Sequence, residues 1–177
     1  MKNLKGIQSC TTYSICKTNI GWCGIVRNKK GLRRILIAYL KRQQLINHIK
    51  EVFEKNLVKE PSTGEFIENL IRYCLGQNVF FGRFKMDWSS VTPFQSKVFK
   101  ATMKRPYGTV TTYRNLSQMI GYNNASRAVG NALSKNPFPL VVPCHRIIRS
   151  DGKIGGFSAV GGKSLKEKLL RMEWENS

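Results

Sequence analysis

Acidic residues are scarce in this chain. Ten Asp and Glu stand against thirty Lys and Arg over 177 residues, a formal charge of +20. That imbalance disfavours a basic partner and favours a polyanion, for which nucleic acid is the obvious candidate. An anionic membrane surface would also suit the charge, but no basic amphipathic helix with a clean apolar face is present, and no membrane partner is expected. A basic surface kept for solubility stays open, because the cations are spread over both halves and mark no single patch. Long apolar runs are missing too. The longest, Ile35 to Leu40, reads as a strand and falls far short of the ~18 residues of a membrane helix. The opening stretch MKNLKGIQSC has no apolar segment behind it, so no secretory signal is expected. The expected location is the cytoplasm, or the nucleus in a eukaryote. The five cysteines, Cys10, Cys16, Cys23, Cys74 and Cys144, include no CxxC pair, and their odd number argues against a disulfide framework. Histidine occurs twice. Cys10, Cys16, Cys23 and His48 lack zinc-finger spacing, so no metal is expected, and Cys16 and Cys23 read as small buried hydrophobes.

What is present is enough for a core. Hydrophobic residues make up 41% of the chain, which suits one domain or two small ones and excludes wholesale disorder. CTTYSIC, IGWCGIV and LRRILIAYL alternate as strands do, and NKKG, Asn28 to Gly31, is a hairpin-like turn. An antiparallel sheet is expected there. Lys41 to Lys55 places Leu45, Ile49, Val52 and Phe53 at helical spacing, with His48 beside that face and partly exposed. A second helix is expected from Phe66 to Leu75, closed by Gly76, and VFFGRF after it could be another strand. From Thr92 the texture turns helical. Thr92-Pro93 starts a helix with Phe94, Val98, Phe99 and Met103 inward. Thr111 or Thr112 caps a short helix with Leu116, Met119 and Ile120 inward, stopped by Gly121. A third helix runs from about Ala125 to Ser134. The expected division is an α/β part over residues 1–88 and a mostly helical part over 89–177.

The helices on either side of Gly121 have the spacing of a helix-turn-helix. The second, ASRAVGNALSK, is unusual for a base reader. Ala128, Gly130 and Ala132 are small, and Arg127 is the one long cation near its start. Small residues let a backbone approach nucleic acid closely, with Arg127 as an inserted wedge in the minor groove, or they only permit close helix packing.

PCHR places Cys144 beside His145. One cysteine and one histidine cannot build a four-ligand zinc site in this half. A free thiol, with its pKa near ~8.5, needs a base or a cation to react. His145, Arg146 and Arg149 are close in sequence, and a carboxylate from Asp151, Glu167, Glu173 or Glu175 could orient the histidine. On its own such a pair is more often an accident than a catalytic site.

The surrounding run decides otherwise. TPFQSKVF, YGTVTTY, SRAVGNAL, NPFPLVVPCHRII, GGFS and LLRME stand in one order from about Thr92 to Glu173, and together resemble the O6-alkylguanine-DNA alkyltransferase family. The N-terminal half matches more loosely, in its order of sheet and helices. The resemblance implies an RNase H-like α/β domain followed by a winged-helix-like α domain carrying the helix-turn-helix. It implies minor-groove binding of duplex DNA that contains alkylated guanine, and extrusion of the damaged nucleotide. The alkyl group of O6-alkylguanine, and of O4-alkylthymine, then passes irreversibly to Cys144, once per molecule. No cofactor is implied. The protein would act as a monomer, with cooperative binding along DNA open to it.

The roles implied are specific. Arg127 fills the gap left by the flipped base, and Tyr113 lies against the phosphate and the guanine edge. Arg114, Ser126, Ala128, Gly130 and Ser150 contact DNA. Asn136 is a hinge between the recognition helix and the active segment. His145 relays a proton from Cys144 through water, and Glu173 holds His145, the LLRME context favouring it over Glu175. The carbonyls of Cys144 and Ile147 accept from the guanine amino group, and the Ser158 amide faces O6. The chemistry agrees independently, since a guanine anion leaves poorly without a proton donor such as Tyr113, and GKIGGFS suits close approach to a flat base. Two rival classes are a helix-turn-helix protein without chemistry, which leaves PCHR without a task, and a thiol hydrolase, which would turn over.

Overall fold

Two tight turns set the register of the first three strands. In the computed structural model, which describes residues 11–53 and 57–177, β1 (Thr11–Thr18), β2 (Gly21–Asn28) and β3 (Gly31–Tyr39) form an antiparallel meander. Gly31 opens β3 at φ 126°, and a Cβ there would lie 2.3 Å from the Lys85 carbonyl, so both conformation and space require glycine. A short strand, β4 (Leu57–Lys59), adds to β1 in parallel, giving the order β3-β2-β1-β4. The sheet is therefore mixed rather than antiparallel throughout. The chain leaves β3 through α1 and returns to the far edge, which brings the added strand in with the same direction as β1.

Alternation along the strands divides the sheet into two faces. Val26 and Leu36 face α1 (Arg42–Val52), with Leu45, Ile46 and Ile49. Gly24 lets that helix in, since a Cβ there would approach Ile49 Cδ1 to 2.9 Å. Val52, expected inward, is exposed, and Ile46 takes its place. Residues Cys10, Glu54 and Lys55, part of the expected strand and helix, lie outside the described residues. Ile25, Ile35 and Ile37 face the other way, onto α2 (Glu65–Cys74). This second cluster continues without a break through Phe99, Leu133, Cys144 and Leu169, so the packing of the sheet and of the C-terminal helices is shared.

VFFGRF is not a strand. Phe81 instead packs on Phe66 and Tyr73, and the chain pairs with β3 only further on, where Leu32 N donates to Lys85 O and Asp87 N to Leu32 O. The helix α3 (Pro93–Met103) begins with a reciprocal cap, Gln95 N donating to Thr92 Oγ1 and Thr92 N to Gln95 Oε1. A two-residue strand, β5 (Thr111–Thr112), leads into α4 (Tyr113–Met119), which Thr112 caps, and α5 (Ser126–Ser134) follows. Met119, expected inward, is exposed, and Ser117 is buried in its stead. The Ser117 hydroxyl donates to Tyr122 O and accepts from Ala125 N, tying the turn to that face. A 3₁₀ turn, Cys144–Arg146, precedes β6 (Ile147–Ile148), which pairs in parallel with β5 and so sets Tyr113 near the cysteine segment. The helical half thus carries a strand pair that its periodicity did not reveal. The chain ends in α6 (Gly162–Glu175). No helix among the described residues is long and apolar enough to cross a membrane.

Candidate alkyl-acceptor site

Cys144 lies 6% exposed on the wall of a cavity of ≈ 630 Å³. Arg127, Ser126 and Gly130 of α5 line one side, Tyr113 of α4 another, and the 155–158 loop with Arg149 and Ser150 a third. Gly155 is at φ 79°, a backbone conformation side chains rarely adopt, so the loop turns at this cavity on a glycine. Arg114 and Ala128 are exposed on the outer faces of α4 and α5, away from this lining.

Asn136 fixes the thiol. Its Nδ2 donates to Val142 O at 2.9 Å and to Cys144 Sγ at 3.2 Å, while its Oδ1 accepts from Phe138 N. The residue therefore joins the end of α5 to the cysteine segment. Leu140, four residues before Cys144, holds φ 73°, a conformation rare for a side chain of its size.

Behind the cysteine is a buried polar cluster. His145 is fully buried, and its Nε2 lies 2.8 Å from Glu173 Oε1 and 3.1 Å from the Tyr73 hydroxyl. Arg146 forks onto Glu173, Nε to Oε2 and Nη2 to Oε1, both at 2.8 Å, and its Nη1 donates to Arg105 O. Gly108 N and the Tyr73 hydroxyl complete the shell by donating to the same carboxylate. Burial alone would raise Glu173, but hydrogen bonds from His145 and Arg146 outweigh it and hold it at about 2. The carboxylate then accepts a proton bond from His145 Nε2, which leaves Nδ1 as the basic nitrogen. Nδ1 is buried and has no hydrogen-bond partner among the described residues. Burial lowers the His145 pKa, against the pull of Glu173, so the ring is a neutral base at pH 7. Burial raises Cys144, against Asn136 and Lys166, so the thiol rests protonated.

Sequence reasoning missed three members. Tyr73 comes from α2, seventy-two residues before His145. Its spacing with Phe66 and Leu70 reads as core, and only packing shows where its hydroxyl ends. Tyr73→Phe is expected to lower unfolding free energy by ~1–3 kcal/mol, read from urea denaturation, because it strips a donor from a buried carboxylate. Arg146 read as general positive potential, not as a fork on Glu173. Lys166 sits in a run of charged residues yet is fully buried, its Nζ 2.6 Å from Ile147 O and 3.4 Å from the Tyr113 hydroxyl and from Gly156 O. Burial brings it down to about 8. The Ile147 carbonyl, expected to face a guanine amino group, is thus engaged by Lys166, and Ile147 is absent from the cavity lining. Glu175 is exposed on the far side of α6 and makes no contact with His145. Among the described residues no group of three or more His, Cys, Asp and Glu is placed to hold a metal.

A family model described as the DNA-binding domain of 6-O-methylguanine DNA methyltransferase matches residues 93–175. Similar proteins named methylated-DNA–protein-cysteine methyltransferase include one from Methanosarcina barkeri, 34% identical over 93% of this chain and 98% of its own length. Another, from Saccharolobus islandicus, is 34% identical over 91% of this chain and 94% of its own. Among solved structures, Mycobacterium tuberculosis OGT in complex with DNA superposes with a TM-score of 0.77 at 26% identity, covering 94% of each chain. The O6-methylguanine-DNA methyltransferase of Pyrococcus kodakaraensis gives 0.73 at 28% identity, covering 91% of this chain and 98% of that one.

Proposed function

The chain belongs to the methylated-DNA–protein-cysteine methyltransferase family, and on that premise we propose that it repairs duplex DNA by taking the alkyl group of O6-alkylguanine onto Cys144. One observation carries the reading: Cys144 lies on the wall of a cavity beside Arg127, backed by the buried His145–Glu173 pair. The cavity volume falls within the ~300–1,000 Å³ usual for small ligands, which suits a single extruded base.

DNA lies along α5, its minor groove against Ser126, Ala128 and Gly130, with Arg114 and Ser150 on the flanking phosphates. Arg127 enters the stack as the damaged nucleotide leaves it. The Cys144 proton passes through water to His145 Nδ1, the one basic ring nitrogen. The thiolate attacks the alkyl carbon, the C–O bond breaks, and its electron pair goes to O6. Tyr113 donates a proton there, aided by the Lys166 ammonium 3.4 Å from its oxygen. The product is a thioether, which water does not cleave, so each chain acts once. O4-alkylthymine offers the same C–O bond and enters by the same route. The protein works as a monomer and can pack cooperatively along DNA. The α/β part over 1–88 is RNase H-like and the helical part over 89–177 winged-helix-like.

Incubation with duplex DNA carrying O6-methylguanine, followed by intact-protein mass spectrometry, tests this. One methyl per chain, mapped to Cys144, is the expected result. An unmodified chain, or continued turnover beyond one equivalent, overturns it. Arg127→Ala is expected to slow repair of duplex at least about tenfold, since a few kcal/mol of unstacking go uncompensated. Its reaction with free O6-alkylguanine is expected to stay within about twofold. Equal losses on both substrates would remove Arg127 from the flipping step.

A further inference from the structure

Cys144 borders a second cavity. This one, of ≈ 310 Å³, lies on the sheet side of the thiol and is bounded by the Ile35–Ile37 stretch of β3, the segment after α5 and the loop ending at Val160. Ser134, Phe157 and Ser158 line both spaces with Cys144, so the two cavities share a wall at the thiol. The far wall is fixed: Ile35 N donates to Pro137 O at 2.9 Å, which ties the outer edge of β3 to the hinge segment. Beyond it β3 bulges against β2, with Ala38 at φ 64°. Bulges of this kind turn a strand and re-aim its side chains beside functional sites.

The lining has a definite chemistry. Ile37, Pro139 and Val160 give it an apolar body. Arg34 and Lys135 give it two cations, His48 adds a polar ring, and no Asp or Glu lines it. Neither Arg34 nor Lys135 forms an ion pair among the described residues. In-line displacement sets sulfur, carbon and oxygen on one line, so the rest of any substituent leaves that line sideways, next to Sγ. A methyl group needs none of this room.

We propose that the second cavity receives the distal part of long, anionic O6-substituents, so that carboxyalkyl adducts of guanine are substrates favoured over neutral adducts of equal length. The inference rests on the alkyl-transfer reading above. The bonds are those of methyl transfer: Sγ joins the first chain carbon, that carbon leaves O6, and O6 takes the proton. The chain lies along Ile37, Pro139 and Val160, and its carboxylate meets Arg34 and Lys135. No further reactant enters.

Three duplexes of one sequence, carrying O6-methylguanine, O6-(3-carboxypropyl)guanine and the carboxamide of that same chain, test it by single-turnover rates and intact mass. The native chain is expected to take the carboxylate about tenfold faster than the carboxamide, the scale of a charge-assisted hydrogen bond. The double substitution Arg34→Gln, Lys135→Gln is expected to erase that preference while methyl transfer stays within about twofold. Val160→Trp is expected to slow both long adducts and spare methyl. Methyl transfer by the native chain without preference between the long adducts overturns this inference alone. So does an equal slowing of all three duplexes by the double variant. Absence of transfer from every duplex overturns the alkyl-transfer reading, and this inference with it.

Discussion

Cys144→Ser is expected to abolish alkyl transfer while duplex binding stays nearly intact. A serine hydroxyl is not ionised by a neutral histidine at pH 7, and oxygen lacks the softness of a thiolate. Among the described residues the site offers no second thiol, because Cys16, Cys23 and Cys74 are buried away from the cavity and burial raises all three. Binding is expected to survive because its groups lie on α4, on α5 and at Ser150, all outside the 3₁₀ turn. The measurement pairs intact mass after incubation with O6-methylguanine duplex and a gel-shift titration. A methyl adduct on the variant would move the acceptor elsewhere. A loss of DNA affinity matching the loss of transfer would make Cys144 a structural residue of the binding face.

The second large effect is expected at Glu173. This one carboxylate meets Arg146 through two bonds, His145, Tyr73 and Gly108 N, and is 1% exposed. Removing it leaves a buried guanidinium without its counter-charge, which costs ~3–5 kcal/mol. Glu173→Ala should therefore lower the melting temperature by roughly 10 °C, at about 2–4 °C per kcal/mol for a chain of this size. Glu173→Gln keeps the shape and some of the bonds, so it should fold better yet still transfer slowly, because the negative charge that supports protonated His145 is gone. Full activity in Glu173→Gln would show that the carboxylate only packs.

The same cluster predicts acid sensitivity. His145 is held below its ordinary 6.5, and Glu173 at about 2 instead of 4.5. In each case the unfolded chain takes the proton first. Stability is therefore full above about pH 6.5 and falls as His145 would protonate. It falls further between about 4.5 and 2, where Glu173 contributes on the order of 3 kcal/mol. Urea midpoints should stay level from pH 8 to about 6.5 and then decline toward pH 3, and Glu173→Gln should lose the part of that decline below about pH 4.5.

Local chemistry was readable from residues alone where it depends on neighbours in sequence. The three strands and the NKKG turn follow from alternation and glycine, and the Thr92 and Thr112 starts from capping hydroxyls. The cysteine segment and its loop stood out through their order in the chain. Met119 and Val52 went the other way because periodicity names a face without saying what covers it. Ser117 is buried since its hydroxyl has two backbone partners across a turn, which no local pattern records.

The composition and motif order by themselves determined that this is a basic chain of mixed α/β type in which Cys144 stands within the motif run of an alkyltransferase family. Tertiary structure decided which groups surround that cysteine. Tyr73 arrives from a helix in the other half, Lys166 is buried under Tyr113, and the edge of β3 forms a second wall beside the thiol. These are contacts across long stretches of chain. Their hydroxyls and cations look like ordinary surface or core residues until burial removes water and leaves each polar atom only the partner that packing supplies.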